Sequence, residues 1–237
     1  LLINCCVIKR VTMNFFQSTL FLFSWFLICF SCSKTPNWSA TFNEAGLVNV
    51  QELDSTIKVR LAYSSSNNVI GYDIYGDLDQ AYLRPEAAKK LVLAQKNLQA
   101  HHPTHSLYIF DATRPRRIQQ LLWDESELPI DQRNKYIAHP QKGSIHNYGM
   151  AVDLGIWVDG VGLLDMGTVF DDFSALSHIT SEDSLLSIGA LKPEHVQNRK
   201  LLRQVMTKAG FLCLSSEWWH FDAMERSSTK EQFDIVE

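Results

Sequence analysis

The stretch S-I-H-N-Y-G-M-A-V-D-L-G-I-W-V, residues 144–158, decides the fold. From Ala151 it alternates, with Ala151, Asp153, Gly155 and Trp157 on one face and Val152, Leu154, Ile156 and Val158 on the other. The pair Asp159-Gly160 closes it as a turn, so the pattern predicts a strand with one strongly apolar face. A carboxylate inside such a strand is costly unless it is paired or metal-bound. His146 stands seven residues before Asp153, and Gly149 between them allows a turn tight enough for the two side chains to converge. Two readings fit that spacing: a pair of metal ligands, or a solvated loop histidine beside an ordinary strand aspartate.

Outward from this strand, Pro85 and Glu86 open a helix whose stripe is Ala87, Ala88, Leu91, Ala94 and Leu98, ending before Pro103. The run 106–110 is a short strand leading to Asp111, and a helix is expected from Pro115 to about Trp123. Residues 57–63 alternate and suit an edge strand or a helix end. A second sizeable helix runs from Glu194 to Ala209 with Gly210 as its stop. Two short strands, 211–214 and 218–221, follow about a bend. Helices and strands in this irregular order indicate an α+β fold, not a doubly wound sheet.

With 237 residues, 46% of them apolar and 20% charged, the chain is long enough for one domain with its own core plus an appended segment. Pro and Gly together number 18, too few for a disordered chain of this apolar content. The formal charge of −4 gives no diffuse attraction to phosphate backbones, and the densest basic run, Arg114, Arg116 and Arg117, begins beside Asp111. No nucleic-acid partner is therefore expected, and no obligate protein partner is evident.

Residues 20–30 are almost purely apolar, shorter than the roughly 20 residues that span a bilayer comfortably, and small polar residues follow at once. The expectation is an export leader over 1–32, a tether over 33–50 and the functional domain over 51–237, in the periplasm or cell envelope. Met13 is a candidate start, although no Lys or Arg lies between it and the apolar run. Four of the five cysteines (Cys5, Cys6, Cys29, Cys32) fall in the leader, which leaves Cys213 alone in the body and excludes a disulfide framework there. Cys32 resembles a lipid-attachment cysteine, so a lipid anchor is a possible partner. Residues 33–237 carry 20 basic and 26 acidic side chains.

Near the end of the chain stands E-W-W-H, residues 217–220. In a bend or distorted strand, Glu217 and His220 can face one cavity. Two imidazoles and a carboxylate (His146, His220, Asp153) form a set suited to Zn²⁺ with the fourth position left to water. A second carboxylate beside that water, Glu217, would then serve as general base and acid. The alternative is that Trp218 and Trp219 are core and His220 is a satisfied polar neighbour. In D-A-T-R-P, residues 111–115, Arg114 is either an oxyanion stabiliser or the partner of Asp111, or both. Asp171 and Asp172 could receive a substrate ammonium or orient a ligand histidine. His101, His102 and His105 cluster in a linker without a carboxylate.

At these residues the chain resembles the D-alanyl-D-alanine dipeptidases of the zinc D-Ala-D-Ala peptidase family. The family's S-x-H-x-x-G-x-A-x-D pattern is matched by Ser144, His146, Gly149, Ala151 and Asp153. Its E-x-W-H pattern is matched by Glu217, Trp219 and His220, its arginine-proline pair by Arg114 and Pro115, and its G-T-x-F-D-x-F stretch by residues 167–173. The resemblance covers roughly residues 45–225. It implies an α+β, Hedgehog/D-Ala-D-Ala peptidase-like fold with a small central antiparallel sheet flanked by helices and a confined cleft. It implies one catalytic Zn²⁺ per chain on His146, Asp153 and His220, with Glu217 as general base and Arg114 as transition-state stabiliser. Asp111 and Trp219 would support the site, and Ser144 and Asp171 would contact a small D-amino-acid dipeptide. Thr113 departs from the aromatic expected before the arginine, which would widen the cleft wall. Carboxypeptidases and other cell-wall peptidases share the histidine–aspartate motif, so selectivity for a free dipeptide stays open, as does a surface binding module with structural zinc.

Overall fold

The computed structural model describes residues 37–237. The leader at 1–32 and Cys32 lie outside the described residues. Asn37 caps helix α1 (Trp38–Glu44), its side-chain oxygen accepting from the Ala40 amide at 3.1 Å. Trp38 and Phe42, one turn apart, stack at 5.5 Å and are both buried, as are Leu47 and Val50. Residues 38–50 are therefore part of the folded core, not the tether expected up to residue 50. The signal is the apolar pair Trp38 and Phe42 at helical spacing.

Strand β1 (Val48–Asn49) leads into α2 (Val50–Leu53) and then β2 (Lys58–Val59). After a long loop comes β3 (Tyr82–Leu83), which pairs antiparallel with β1 in a separate two-stranded sheet. Helix α3 (Pro85–His101) starts at its proline and buries the expected stripe. Strand β4 (His105–Asp111) follows, then α4 (Arg116–Glu125) and α5 (Ile130–Tyr136), the last not foreseen from its polar sequence. Strand β5 (Ala151–Val158) turns at Asp159-Gly160 into β6 (Gly162–Leu163). A loop then leads to α6 (Glu182–Ser187) and α7 (Pro193–Lys208), and Gly210 (φ 89°) follows the end of α7. Strands β7 (Leu212–Leu214) and β8 (Glu217–Asp222) precede α8 (Arg226–Gln232).

The main sheet has the order β2-β4-β5-β8-β7, with β6 hairpinned onto β5. Its pairings are antiparallel except at the β2 edge, where Lys58 and Val59 run parallel to β4 opposite Tyr108 and Ile109. The α+β expectation stands, and the sheet is mixed at that one edge. Leu91, Leu98, Leu107 and Ile109 are fully buried between α3 and the sheet, each worth roughly 1.5–3 kcal/mol relative to exposure.

The register of the sheet already builds a site. Asp111 on β4 pairs with Asp153 on β5, which pairs with His220 on β8, so three chemistry-bearing residues form one row across the sheet centre. A register shift between Ile109 and Asp111 ends β4 at that row. On β8 the register passes from Glu217, opposite Leu214, to Phe221, opposite Cys213. Trp218, Trp219 and His220 thus bulge out of the β7 ladder. Strict alternation would put Glu217 and His220 on opposite faces, and the bulge brings both to the same cleft.

Candidate metal centre

His146 is carried by a 3-10 turn (Ile145–Tyr148) that stops at Gly149, whose φ is 72°. A Cβ there would meet Leu47 Cδ2 at 2.6 Å and Thr113 Oγ1 at 3.0 Å, so the motif glycine is required by both conformation and space. The Arg114 amide donates to the His146 carbonyl at 3.1 Å, and Asn147 Nδ2 donates to the Arg114 carbonyl at 2.6 Å. These bonds tie the histidine loop to the end of β4.

His146 Nε2 lies 3.2 Å from His220 Nδ1 and 3.2 Å from an Asp153 carboxylate oxygen, and His220 Nδ1 lies 2.9 Å from the other. All three residues are buried. A tetrahedral ion with bonds of about 2.0–2.1 Å separates its ligand atoms by about 3.3 Å, close to this spacing. The outward nitrogens are already committed. His146 Nδ1 donates to the Ala112 carbonyl at 2.7 Å, and His220 Nε2 donates to Asp222 Oδ1 at 2.8 Å, with Asp222 Oδ2 held by Arg226 Nε at 2.8 Å. In those tautomers the inward atoms are three acceptors facing one another, an arrangement that is favourable only around a cation. Without a metal a proton takes that place: burial opposes the charge on His220, yet its bonds to Asp153 and Asp222 raise its pKa well above the ordinary imidazole value. The donor set and its spacing fit Zn²⁺. Among the described residues, no other group of three or more His, Cys, Asp and Glu converges to ligand distances. His102 and His105, with rings 4.8 Å apart, do not form such a group.

A cleft of about 240 Å³ opens on the triad. Glu217 lines it with 18% of its side chain exposed and its carboxylate 3.9 Å from His220 Nδ1. Burial lifts the Glu217 pKa above the usual carboxylate range. Arg114 also lines the cleft. Its guanidinium is bound by Asp111 Oδ2, through Nε at 3.0 Å and through Nη2, while Nη1 donates to Gln119 Oε1 at 3.1 Å. Tyr75 donates to the second Asp111 oxygen at 2.6 Å, and the Tyr63 ring lies 5.1 Å from the guanidinium carbon. Arg114 is thus both the partner of Asp111 and a cleft residue. Burial works against its charge and Asp111 more than restores it.

Asp171 reaches the cleft from the loop between β6 and α6, in the left-handed region at φ 61°. Tyr63 donates to its carboxylate at 2.6 Å, and burial carries its pKa up to about 8. Asp172 instead caps a local turn at Ser174. Ser144 also lines the cleft, its amide held by Asn147 Oδ1 at 2.6 Å. Trp219, 1% exposed, packs edge-on against Phe170 at 5.6 Å and backs the cleft. Thr113 is 3% exposed, its hydroxyl donating to the Tyr82 carbonyl at 2.6 Å, and it does not line the cleft.

The structure adds residues the sequence did not offer. Asp222 orients His220, Ala112 orients His146, Tyr63 holds Asp171, and Arg226 and Lys230 of α8 line the cleft. Asp222 had a signal, since it stands two residues from His220 on a strand and therefore on the same face.

A D-ala-D-ala dipeptidase family model matches residues 43–236. The chain is 32% identical over 187 residues to the D-alanyl-D-alanine dipeptidase of Escherichia coli, covering 77% of this chain and 86% of that protein. It is 26% identical over 207 residues to the D-alanyl-D-alanine dipeptidase of Enterococcus faecium, covering 81% and 98%. The same enzyme of Enterococcus faecalis matches at 26% over 209 residues, with 81% and 98% covered. With its motif residues gathered around one cleft and nearly the whole described chain matched, this protein belongs to the D-ala-D-ala dipeptidase family of M15 peptidases.

Proposed function

We propose that the protein hydrolyses free D-alanyl-D-alanine to two D-alanines, with one Zn²⁺ held by His146, Asp153 and His220. The observation that carries this reading is the triangle of inward acceptors at 2.9–3.2 Å beside a carboxylate, Glu217, that stands outside it. When bound there, Zn²⁺ supplies Lewis-acid polarisation of the scissile carbonyl and a water of lowered pKa. Glu217 takes the proton of the attacking water and returns it to the departing amine, a role that suits a carboxyl whose pKa burial has raised. Arg114, kept cationic and oriented by Asp111 and Gln119, opposes the negative charge that develops on the carbonyl oxygen.

Charge is distributed along the cleft to suit a zwitterion. Asp171, fixed by Tyr63, receives the substrate ammonium. Ser144, Arg226 and Lys230, which also line the cleft, favour the carboxylate. The cleft's small volume supports a short substrate. A structural zinc would call for a fourth protein ligand, and the converged group among the described residues has three members.

The test compares zinc-dependent hydrolysis of D-Ala-D-Ala, its L,L isomer and an N-acylated peptide ending in D-Ala-D-Ala. Cleavage of the free D,D-dipeptide alone supports the reading. Preference for the acylated peptide would make the protein a D,D-carboxypeptidase, and no zinc-dependent cleavage of any of them would refute the enzyme.

A further inference from the structure

Arg199 of α7 is fully buried, an expensive place for a guanidinium. Its nearest carboxylate, Glu182, lies 3.8 Å away and is engaged by Arg203 at 2.6 and 2.7 Å. Nη2 has no acceptor among the described residues, and burial pulls the Arg199 pKa down to about 10. A hydrophobic side chain of similar size would fill the site at lower cost, so the arginine is not explained by packing.

Its donors go elsewhere. Nε donates to the Met166 carbonyl at 2.6 Å and Nη1 to the Leu176 carbonyl at 3.0 Å. These two carbonyls bracket the loop whose middle carries Phe170 and Asp171. Neighbouring α7 residues grip the same base: His195 Nε2 meets Asp165 at 3.1 Å, and Asn198 Nδ2 donates to the Asp165 carbonyl at 2.8 Å. At Gly167 a Cβ would strike His195 Nδ1 at 2.6 Å, so the loop enters through a gap that only glycine fits. The guanidinium carbon also lies 5.9 Å from the ring of Trp218, whose indole donates to Thr168 Oγ1 at 2.8 Å. One side chain therefore touches both the loop that bears Asp171 and the strand that bears Glu217 and His220.

We infer that Arg199 is a positioning residue for substrate selectivity: by holding the Met166 and Leu176 carbonyls together against β8, it sets where Asp171 meets the substrate ammonium relative to the reacting centre. This rests on the proposed dipeptidase reading for the role of Asp171, while the clamp itself stands on geometry alone. The non-Gly left-handed conformation of Asp171 adds to the case, because such a residue persists only where its surroundings over-determine it.

The experiment uses full-length zinc-loaded protein and the variants Arg199→Met, Arg199→Lys, Asp171→Asn and the double Arg199→Met/Asp171→Asn. Arg199→Met should raise KM for D-Ala-D-Ala about tenfold or more, with kcat changed less than about threefold and zinc content kept. Arg199→Lys, which can satisfy one carbonyl but not span both, should fall between it and wild type. The double variant should show no larger KM than Asp171→Asn, because both changes act through one carboxylate, whereas a general structural defect would add. Hydrogen exchange of the amides in 166–176 should accelerate in Arg199→Met and, less, in Arg199→Lys. Unchanged loop exchange together with unchanged KM in a folded Arg199→Met variant would overturn the inference. If that variant does not fold, wild-type exchange and KM in Arg199→Lys would do the same. Wild-type protein inactive on D-Ala-D-Ala would instead refute the reaction, and loop exchange would still decide whether Arg199 is the clamp.

Discussion

Replacing Asp222 by alanine should weaken zinc binding without touching a ligand. Asp222 Oδ1 accepts from His220 Nε2 at 2.8 Å, and the aspartate is 6% exposed, so its removal leaves a buried N–H without a partner. Such an orphaned donor costs about 1–3 kcal/mol. The imidazole can avoid that cost by moving its proton to Nδ1, where Asp153 Oδ1 waits at 2.9 Å. That is the atom the metal needs, so the tautomer switch converts the cost into lost affinity. Loss of a carboxylate that orients a ligand histidine typically weakens metal binding 10–100-fold, or about 1.4–2.8 kcal/mol, consistent with the cost of the orphaned donor. Competition with a chelator of known zinc affinity at fixed pH reads this directly. Asp222 also pairs with Arg226, which is half exposed, so Arg226→Ala is the control and should change affinity by less than about threefold. Equal zinc affinity in Asp222→Ala and wild type, within twofold, would refute the reasoning.

Glu217→Gln should keep zinc and lose about 10²–10⁴ in kcat, whereas His220→Ala should lose the metal; equilibrium dialysis and steady-state kinetics separate the two. In the metal-free protein, Asp171 binds its proton more tightly folded than unfolded, its pKa being about 8 against an ordinary 3.8. The folded state therefore holds the extra proton between those values, and the carboxyl's contribution to stability is lost as pH rises from about 4 to about 8. Asp171→Asn should match wild type in thermal midpoint near pH 4 and exceed it above pH 8; a constant difference across the range would contradict this. Gly149→Ala should destabilise by about 2–5 kcal/mol, combining the left-handed backbone cost with overpacking against Leu47 and Thr113. Urea denaturation reads it, and a loss under about 1 kcal/mol would show that the loop relaxes.

Much of the site was legible because strand and turn chemistry act locally. Asp153 announced itself as a carboxylate in an apolar strand, and Gly149 as the turn that aims His146 back at it. Glu217 and His220 were legible as a pair, although only the β8 bulge shows how both face one cavity. What stayed hidden was set by distant pairing. Tyr63 meets Asp171 from 108 residues away, and Ala112 orients His146 through a backbone carbonyl that carries no sequence signal. Alternation over 57–63 marks the edge strand at Lys58 and Val59, but its parallel direction against β4 is set by the path of the chain and leaves no local signal. Helix α5 hides in a polar sequence with Pro129 before it as its signal, and the packed segment around Trp38 offers one apolar pair, Trp38 and Phe42, on a helix too short for periodicity to mark.

The central claim is one zinc ion on three protein ligands with room for a reacting water. A crystal structure of the zinc-loaded protein with anomalous data at the zinc edge tests it most directly. The account predicts a single peak bonded to His146 Nε2, His220 Nδ1 and the Asp153 carboxylate at about 2.0–2.2 Å, with solvent as the remaining ligand and Glu217 beside that solvent. A fourth protein ligand on the ion, or a peak elsewhere with this triad empty, would contradict it.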